Sequence, residues 1–136
     1  MSRPKPATSS SRSKNESGSV SIELVILLPA LFAVMFLGMQ AALYYHARTV
    51  AIAAAEEGAR SAGAENGHES NGVTAATSFV ATAGGDDVLQ NVSTSANRTQ
   101  TTATVTVRGF SMSVIPGWHP QVIQSASVTV ERVTAP

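Results

Sequence analysis

Glu23 stands at the head of the longest apolar run in the chain, and Gly18 precedes it by five residues. An acidic side chain at the centre of a membrane helix costs about 2.5–3.5 kcal/mol on insertion scales, so such acids are usually functional or lie at the membrane edge. If the bond between Gly18 and Ser19 were cut, Glu23 would become the fifth mature residue. Two interpretations follow: an acid exposed to headgroups at the edge, or an acid with a function in the membrane.

The other chemically capable residues show no catalytic or metal-binding arrangement. His46, His68 and His119 fall on different predicted elements without ligand spacing, and the chain has no cysteine. No Gly-x-Ser-x-Gly elbow is present, and the Gly84-Gly85 pair lacks the Lys-Ser/Thr of a phosphate-binding loop. We therefore predict a protein that is not an enzyme, with no catalytic residue, no metal or other cofactor, and no small-molecule substrate.

The net charge gives no indication of nucleic-acid binding, whereas a long uncharged apolar run indicates a membrane span. Nine basic and nine acidic residues give a net charge of zero, so no bulk field favours nucleic acid. The run from Leu24 to Met39 contains no polar residue, and the longer stretch from Leu24 to Ala47 contains no formally charged residue. A spanning helix needs about 20 largely apolar residues. A cleaved secretory signal with a late cut is the less favoured alternative, because its apolar core has only about 7–15 residues.

Flanking charges predict the orientation of this span. Four cations precede it, whereas the two that follow closely, Arg48 and Arg60, are offset by Glu56 and Glu57. The positive-inside rule then places the N-terminus in the cytoplasm and the C-terminal part outside, which predicts a single-pass protein of the plasma membrane. The four preceding cations are Arg3, Lys5, Arg12 and Lys14.

The helix is predicted to continue beyond the membrane, from about Val20 to about Ala62. Residues 48–62 are rich in alanine and lack proline, and Glu56 and Arg60 have the favourable i,i+4 spacing. Small residues recur along this helix, which indicates either close helix approach or simply the helix propensity of alanine. The candidate packing residues are Gly38 and Ala42 inside the membrane, followed by Ala47, Ala51, Ala55 and Ala59.

After this helix the pattern predicts one short helix and three strands. The short helix is expected over residues 73–83, with Asn71 as its cap and two glycines as its stop. Alternation with period two predicts strands over residues 101–109 and 125–131, and a weaker strand over residues 88–94.

Two connections complete the predicted sheet. A turn is expected at residues 95–97, and a rigid loop at residues 116–120. Trp118 is expected to plug the end of the sheet, because tryptophan is highly buried on average; an exposed recognition residue is the alternative.

The fold class is then α+β: a long N-terminal transmembrane helix extended outside the membrane, packed with a short helix and a small antiparallel sheet of about three strands. We predict three regions: a basic disordered leader (1–18), the extended helix (19–62) and an extracytoplasmic α+β head (63–136).

The N-terminal features together resemble a known family. A basic leader, a small residue before the cut, a glutamate at the fifth mature position, an apolar run and Pro29 resemble type IV prepilins. From Leu24 to Arg60, the Leu-Leu-Pro, Tyr-Tyr and Glu-Glu-Gly-Ala-Arg stretches are similar to the TadE-like family, pseudopilins of tight-adherence (Flp-type) pilus systems. The resemblance covers roughly residues 18–62.

The resemblance implies partners and roles. A membrane prepilin peptidase would cut between Gly18 and Ser19 on the cytoplasmic face, and Glu23 would pair with the new amino terminus of a neighbouring pilin or pseudopilin. Leu24 stands where Flp major pilins have tyrosine, and the chain is far longer than they are, which implies a minor pseudopilin that acts with the pilus assembly platform. After processing it would either leave the membrane for the cell surface or pilus, or remain in the membrane as a scaffold.

Two alternatives remain from the sequence. One is an uncleaved single-pass membrane protein whose head is an extracytoplasmic binding module. The other is a small tethered enzyme, which the lack of any catalytic cluster disfavours.

Overall fold

The computed structural model describes residues 2–5 and 12–133, with the side chains of residues 12–16 excepted. The chain divides into two compact units, residues 1–37 and residues 38–136. Helix α1 (Arg12–Gly63) contributes to both units. The second unit also contains helix α2 (Glu69–Thr82) and strands β1 (Leu89–Arg98), β2 (Thr102–Ser111) and β3 (Gln121–Thr129).

Helix α1 ends where the sequence predicts but begins earlier. Its last residue is Gly63, one residue beyond the expected end, and Asn66 follows with a positive φ of 60°. Its first residue is Arg12, whereas the apolar pattern predicts a start near Val20. No proline occurs between Arg12 and Val20, and extending an existing helix adds a hydrogen bond per residue without a new nucleus.

The sheet confirms the predicted α+β fold with three antiparallel strands. The spatial order is β1-β2-β3, with Arg98 opposite Ala103 and Ala103 opposite Val128. The predicted turn at residues 95–97 is wrong, because those residues lie inside β1. The chain reverses after Thr99, whose hydroxyl accepts hydrogen bonds from the N–H groups of Thr101 and Thr102 at 3.3 and 3.0 Å. Threonine hydroxyls form such turns with a weaker sequence signal than asparagine or glycine.

Helix α2 begins four residues before the predicted start at residue 73. Asn71 is inside the helix, where its side-chain Oδ1 accepts a hydrogen bond from the His68 N–H at 2.8 Å. The N-cap is His68, and the prediction that Asn71 is the cap is wrong. Asn71 is the third residue of the helix, and its side chain accepts a hydrogen bond from the N-cap backbone, as the N3 residue does in a capping box. The helix ends as predicted before Gly84 and Gly85, which have φ values of 127° and 57°.

The core lies between one face of the sheet and the two helices. Ala103, Val105 and Val107 of β2 are buried as the period-two pattern predicts. They form one apolar cluster with alanines of α1 and with Ala76 and Val80 of α2. Three short strands with one apolar face are marginal on their own, so this helical cover is what stabilises the sheet.

Trp118 does not plug the sheet. It is 48% exposed, in the loop that joins β2 to β3. The end of the sheet is filled instead by Leu89 and Val122, which are 0% and 1% exposed.

Candidate assembly site on the N-terminal helix

The proposed cut site and the glutamate lie on α1 in the first unit. Gly18, Ser19 and Glu23 are all exposed. A Cβ built on Gly18 would meet nothing within 4 Å, so the fold of this chain does not require glycine there. Ser19 and Glu23 are four residues apart on a helix and therefore share one face.

The helix that carries these residues has an apolar surface that is exposed in the described structure. Every described side chain from residue 17 to residue 39 is exposed, and Val25 and Ile26 are 72% and 67% exposed. An apolar surface this extensive marks a membrane or protein contact. Among the described residues, one helical stretch, Ser17–Gly63, is long and apolar enough to cross a membrane.

The small residues of α1 fall into two groups. Gly38 and Ala42 are exposed, and a Cβ on Gly38 would meet nothing within 4 Å. The other four are completely buried in the core of the second unit: Ala47, Ala51, Ala55 and Ala59. The second group therefore contacts the protein's own sheet and helix, whereas the first is free to contact lipid or another chain.

Helices α1 and α2 approach closely at a pair of glycines. A Cβ on Gly58 would lie 2.7 Å from the Gly72 carbonyl oxygen and 3.0 Å from Val105. A Cβ on Gly72 would lie 3.0 Å from the Gly58 carbonyl oxygen. Glycine is needed at both positions because the two backbones nearly touch, so the Glu-Gly-Ala-Arg stretch has a structural reason for its glycine. The flanking Arg60 forms ion pairs with Glu56 at 3.8 Å and Glu57 at 3.4 Å.

Gln40 is a residue whose importance the sequence pattern did not reveal. It is 2% exposed, and its side chain bonds the loop between β2 and β3. Its Oε1 accepts hydrogen bonds from the Val114 N–H at 2.9 Å and from the Ser113 hydroxyl at 3.1 Å, and its Nε2 donates to the Met112 carbonyl at 3.3 Å. The one available signal was its position, since it is the first polar residue after the run that begins at Leu24.

A polar cleft at the other end of the sheet is a second candidate, lined by His68, Glu69, Arg98 and Arg132 among others. Its cations are already engaged: Arg98 donates to the carbonyls of Gly67 and Ala64, and Arg132 donates to the Gln100 carbonyl at 2.6 Å. These contacts hold the connection between α1 and α2 and the turn between β1 and β2. In the described part of the chain, no three His, Cys, Asp or Glu residues come together to hold a metal ion.

The first unit thus presents an exposed apolar helix in which Glu23 directly precedes the apolar run. The second unit contains the packed core. Residues 18–60 match the family described as TadE-like protein. The TadE-like segment begins at Gly18, includes Glu23 and the small residues of α1, and ends at Arg60, so the resemblance inferred from the sequence is confirmed over that range. The match implies involvement in tight-adherence (Flp-type) pilus systems. The comparisons with curated proteins and with solved structures found no match.

Proposed function

We propose that this protein is a minor pseudopilin, an assembly subunit of a tight-adherence (Flp-type) pilus or a related secretion machine. The observation that carries the proposal is the start of the TadE-like segment at Gly18, on a helix whose apolar side chains are exposed from residue 17 to residue 39. Neighbouring pilins or pseudopilins and the assembly platform are the partners that would cover it. The N-terminus faces the cytoplasm and the head lies outside, by the distribution of flanking cations.

A prepilin peptidase cuts the bond between Gly18 and Ser19. This bond lies inside α1, so cleavage needs local opening of the helix. Opening is least costly near a helix end, where fraying free energies approach zero, and Gly18 is only six residues from the start at Arg12.

Glu23 then pairs with the amino terminus of a neighbouring mature subunit. A carboxylate and an ammonium group in low-dielectric surroundings are each costly unless they are matched. Within one chain the new terminus at Ser19 lies on the same helix face as Glu23, so the acid also compensates its own terminus before a neighbour arrives. Support comes from the exposure of Glu23.

Processing is tested by intact mass and N-terminal sequencing of the full chain from cells with and without the peptidase. We expect a mature terminus at Ser19 only when the peptidase is present. Gly18→Val is expected to block the cut while leaving the fold intact, since a Cβ there meets nothing. The matched control is Gly38→Val, another exposed helical glycine with open space, which should be processed normally.

The rival is an uncleaved single-pass protein that presents the head as a binding module. An unprocessed terminus in both kinds of cell would contradict the pseudopilin proposal and favour this rival. The cations of the polar cleft are held by backbone carbonyls, and this arrangement gives the rival no support.

A further inference from the structure

The β2–β3 loop (residues 112–120) is held against α1 at one level of the helix. Gln40 fixes its first half through bonds to Met112, Ser113 and Val114. The second half contains a tight turn in which the Trp118 N–H donates to the Ile115 carbonyl at 3.3 Å. Pro116 and Gly117, with φ of 77° at Gly117, have the residue pattern of a type II turn. The position of Trp118 is therefore determined by a rigid turn on an anchored loop.

Aromatic side chains of the loop and the helix meet at this level. Trp118 and Pro120 line a shallow apolar cleft together with Ala41, Tyr44 and Tyr45 of α1. The two tyrosine rings form an edge-to-face pair with centroids 6.0 Å apart, and Tyr45 is 62% exposed. Exposed tryptophan and tyrosine with an apolar body and a polar edge are enriched at the boundary between lipid and water.

The length of the apolar run places that boundary at the same level. Residues 24–39 are 16 apolar residues, whereas crossing the hydrocarbon takes about 20. A span of about 20 residues that begins at Leu24 ends at residue 43, directly before Tyr44 and Tyr45. Gln40 would then lie within the bilayer, where an unsatisfied amide is costly, and the loop supplies the partners that it needs.

The loop also lacks charge. Residues 109–130 contain no Asp, Glu, Lys or Arg, so the loop and the strand segments that flank it bring no formal charge to the bilayer surface. The loop exposes two small residues, Pro116 and Gly117, and one amphipathic residue, Trp118. These residue types suit the headgroup region of a bilayer.

We propose that the β2–β3 loop is a membrane-interface anchor: Trp118, with Tyr44 and Tyr45, sits at the boundary between headgroups and acyl chains in the leaflet on the side of the head. The occupant of the cleft is lipid. This inference requires that the helix spans a membrane, but it is independent of processing at Gly18 and of any role in a pilus.

Trp118 is the only tryptophan in the chain, so its fluorescence reports the anchor directly in the unlabelled full-length protein. The protein is reconstituted into phosphatidylcholine–phosphatidylglycerol vesicles with iodide on both sides. Lipids brominated near the headgroup end or near the terminal end of the acyl chain serve as depth-dependent quenchers. We expect blue-shifted emission, weak quenching by iodide, and greater loss of emission with the bromine near the headgroup end.

The control places a tryptophan at the opposite end of the sheet. Gln100→Trp in the Trp118→Phe background puts the probe in the exposed turn between β1 and β2, where iodide should quench and brominated lipid should not. Trp118 emission that iodide quenches and brominated lipid leaves unchanged would overturn the proposal. Emission protected from both quenchers would also overturn it, because the cleft would then be covered by protein.

Discussion

Gln40 shows how one polar side chain can connect a long helix to the loop of a neighbouring sheet. It makes three hydrogen bonds to the β2–β3 loop while only 2% exposed. Its oxygen uses both lone pairs, one on the Val114 N–H and one on the Ser113 hydroxyl. Removal of this side chain would leave the part-buried Val114 N–H without its acceptor, and an unsatisfied buried group costs more than a typical hydrogen bond contributes.

We therefore expect Gln40→Leu to lower the free energy of unfolding of the head by about 1–3 kcal/mol. Denaturant unfolding in detergent, followed by Trp118 fluorescence, measures this directly. Gln121→Leu is the matched control, because Gln121 is exposed at the start of β3 and should change stability by less than about 0.5 kcal/mol. Equal stability of the two variants would show that the loop is held by other contacts.

At the scale of elements, the crossing of α1 and α2 determines how closely the helices cover the sheet. The backbones of Gly58 and Gly72 approach so nearly that each position would place a Cβ against the other's carbonyl oxygen. Backbone atoms cannot rotate away as a flexible side chain can, so added volume here must separate the helices. The buried alanines of α1 are part of the same close packing.

Gly58→Ala is expected to destabilise the head by about 1–3 kcal/mol, as overpacking does, despite the better helix propensity of alanine. Gly38→Ala makes the same chemical change at a helical glycine with nothing within 4 Å, and should leave stability unchanged or raise it by up to about 1 kcal/mol. Thermal unfolding monitored by circular dichroism compares the two. A stable Gly58→Ala protein would mean that α2 can shift without loss of packing.

The elements that the sequence predicted well are those with a regular hydrophobic period. The alternation of Ala103, Val105 and Val107 correctly identified the buried face of β2. The errors occurred where side-chain hydrogen bonds or distant contacts contribute to the structure: in the turn after Thr99, one hydroxyl accepts hydrogen bonds from two backbone N–H groups. Trp118 is exposed whereas Leu89 and Val122 are buried, a difference that no local pattern reveals. The hydrogen bond between Gln40 and Val114 joins residues 74 positions apart, so no local sequence pattern could predict it either.

At the scale of the whole molecule, the two units differ in whether their apolar side chains are buried. The second unit satisfies its own apolar groups, with Ala47, Ala51, Ala55 and Ala59 completely buried. The first unit leaves its apolar side chains exposed throughout residues 17–37. A substitution in the first unit that adds no clash should therefore affect contacts with lipid or other chains, and not the fold of the head.

Glu23→Val tests this separation together with the proposed pairing role. We expect normal membrane insertion, a normal mature mass and unchanged unfolding of the second unit, because Glu23 is an exposed side chain of the first unit. Co-purification with partner pilins and pilus production should fall, since the amino terminus of the neighbour loses its counter-charge. Glu65→Val is the control, as it removes an exposed acid from the connection between α1 and α2 and should assemble normally. If the Glu23 variant assembled as well as the Glu65 variant, the carboxylate would be only an edge residue in contact with headgroups, and recognition between subunits would have to come from the exposed apolar face of α1.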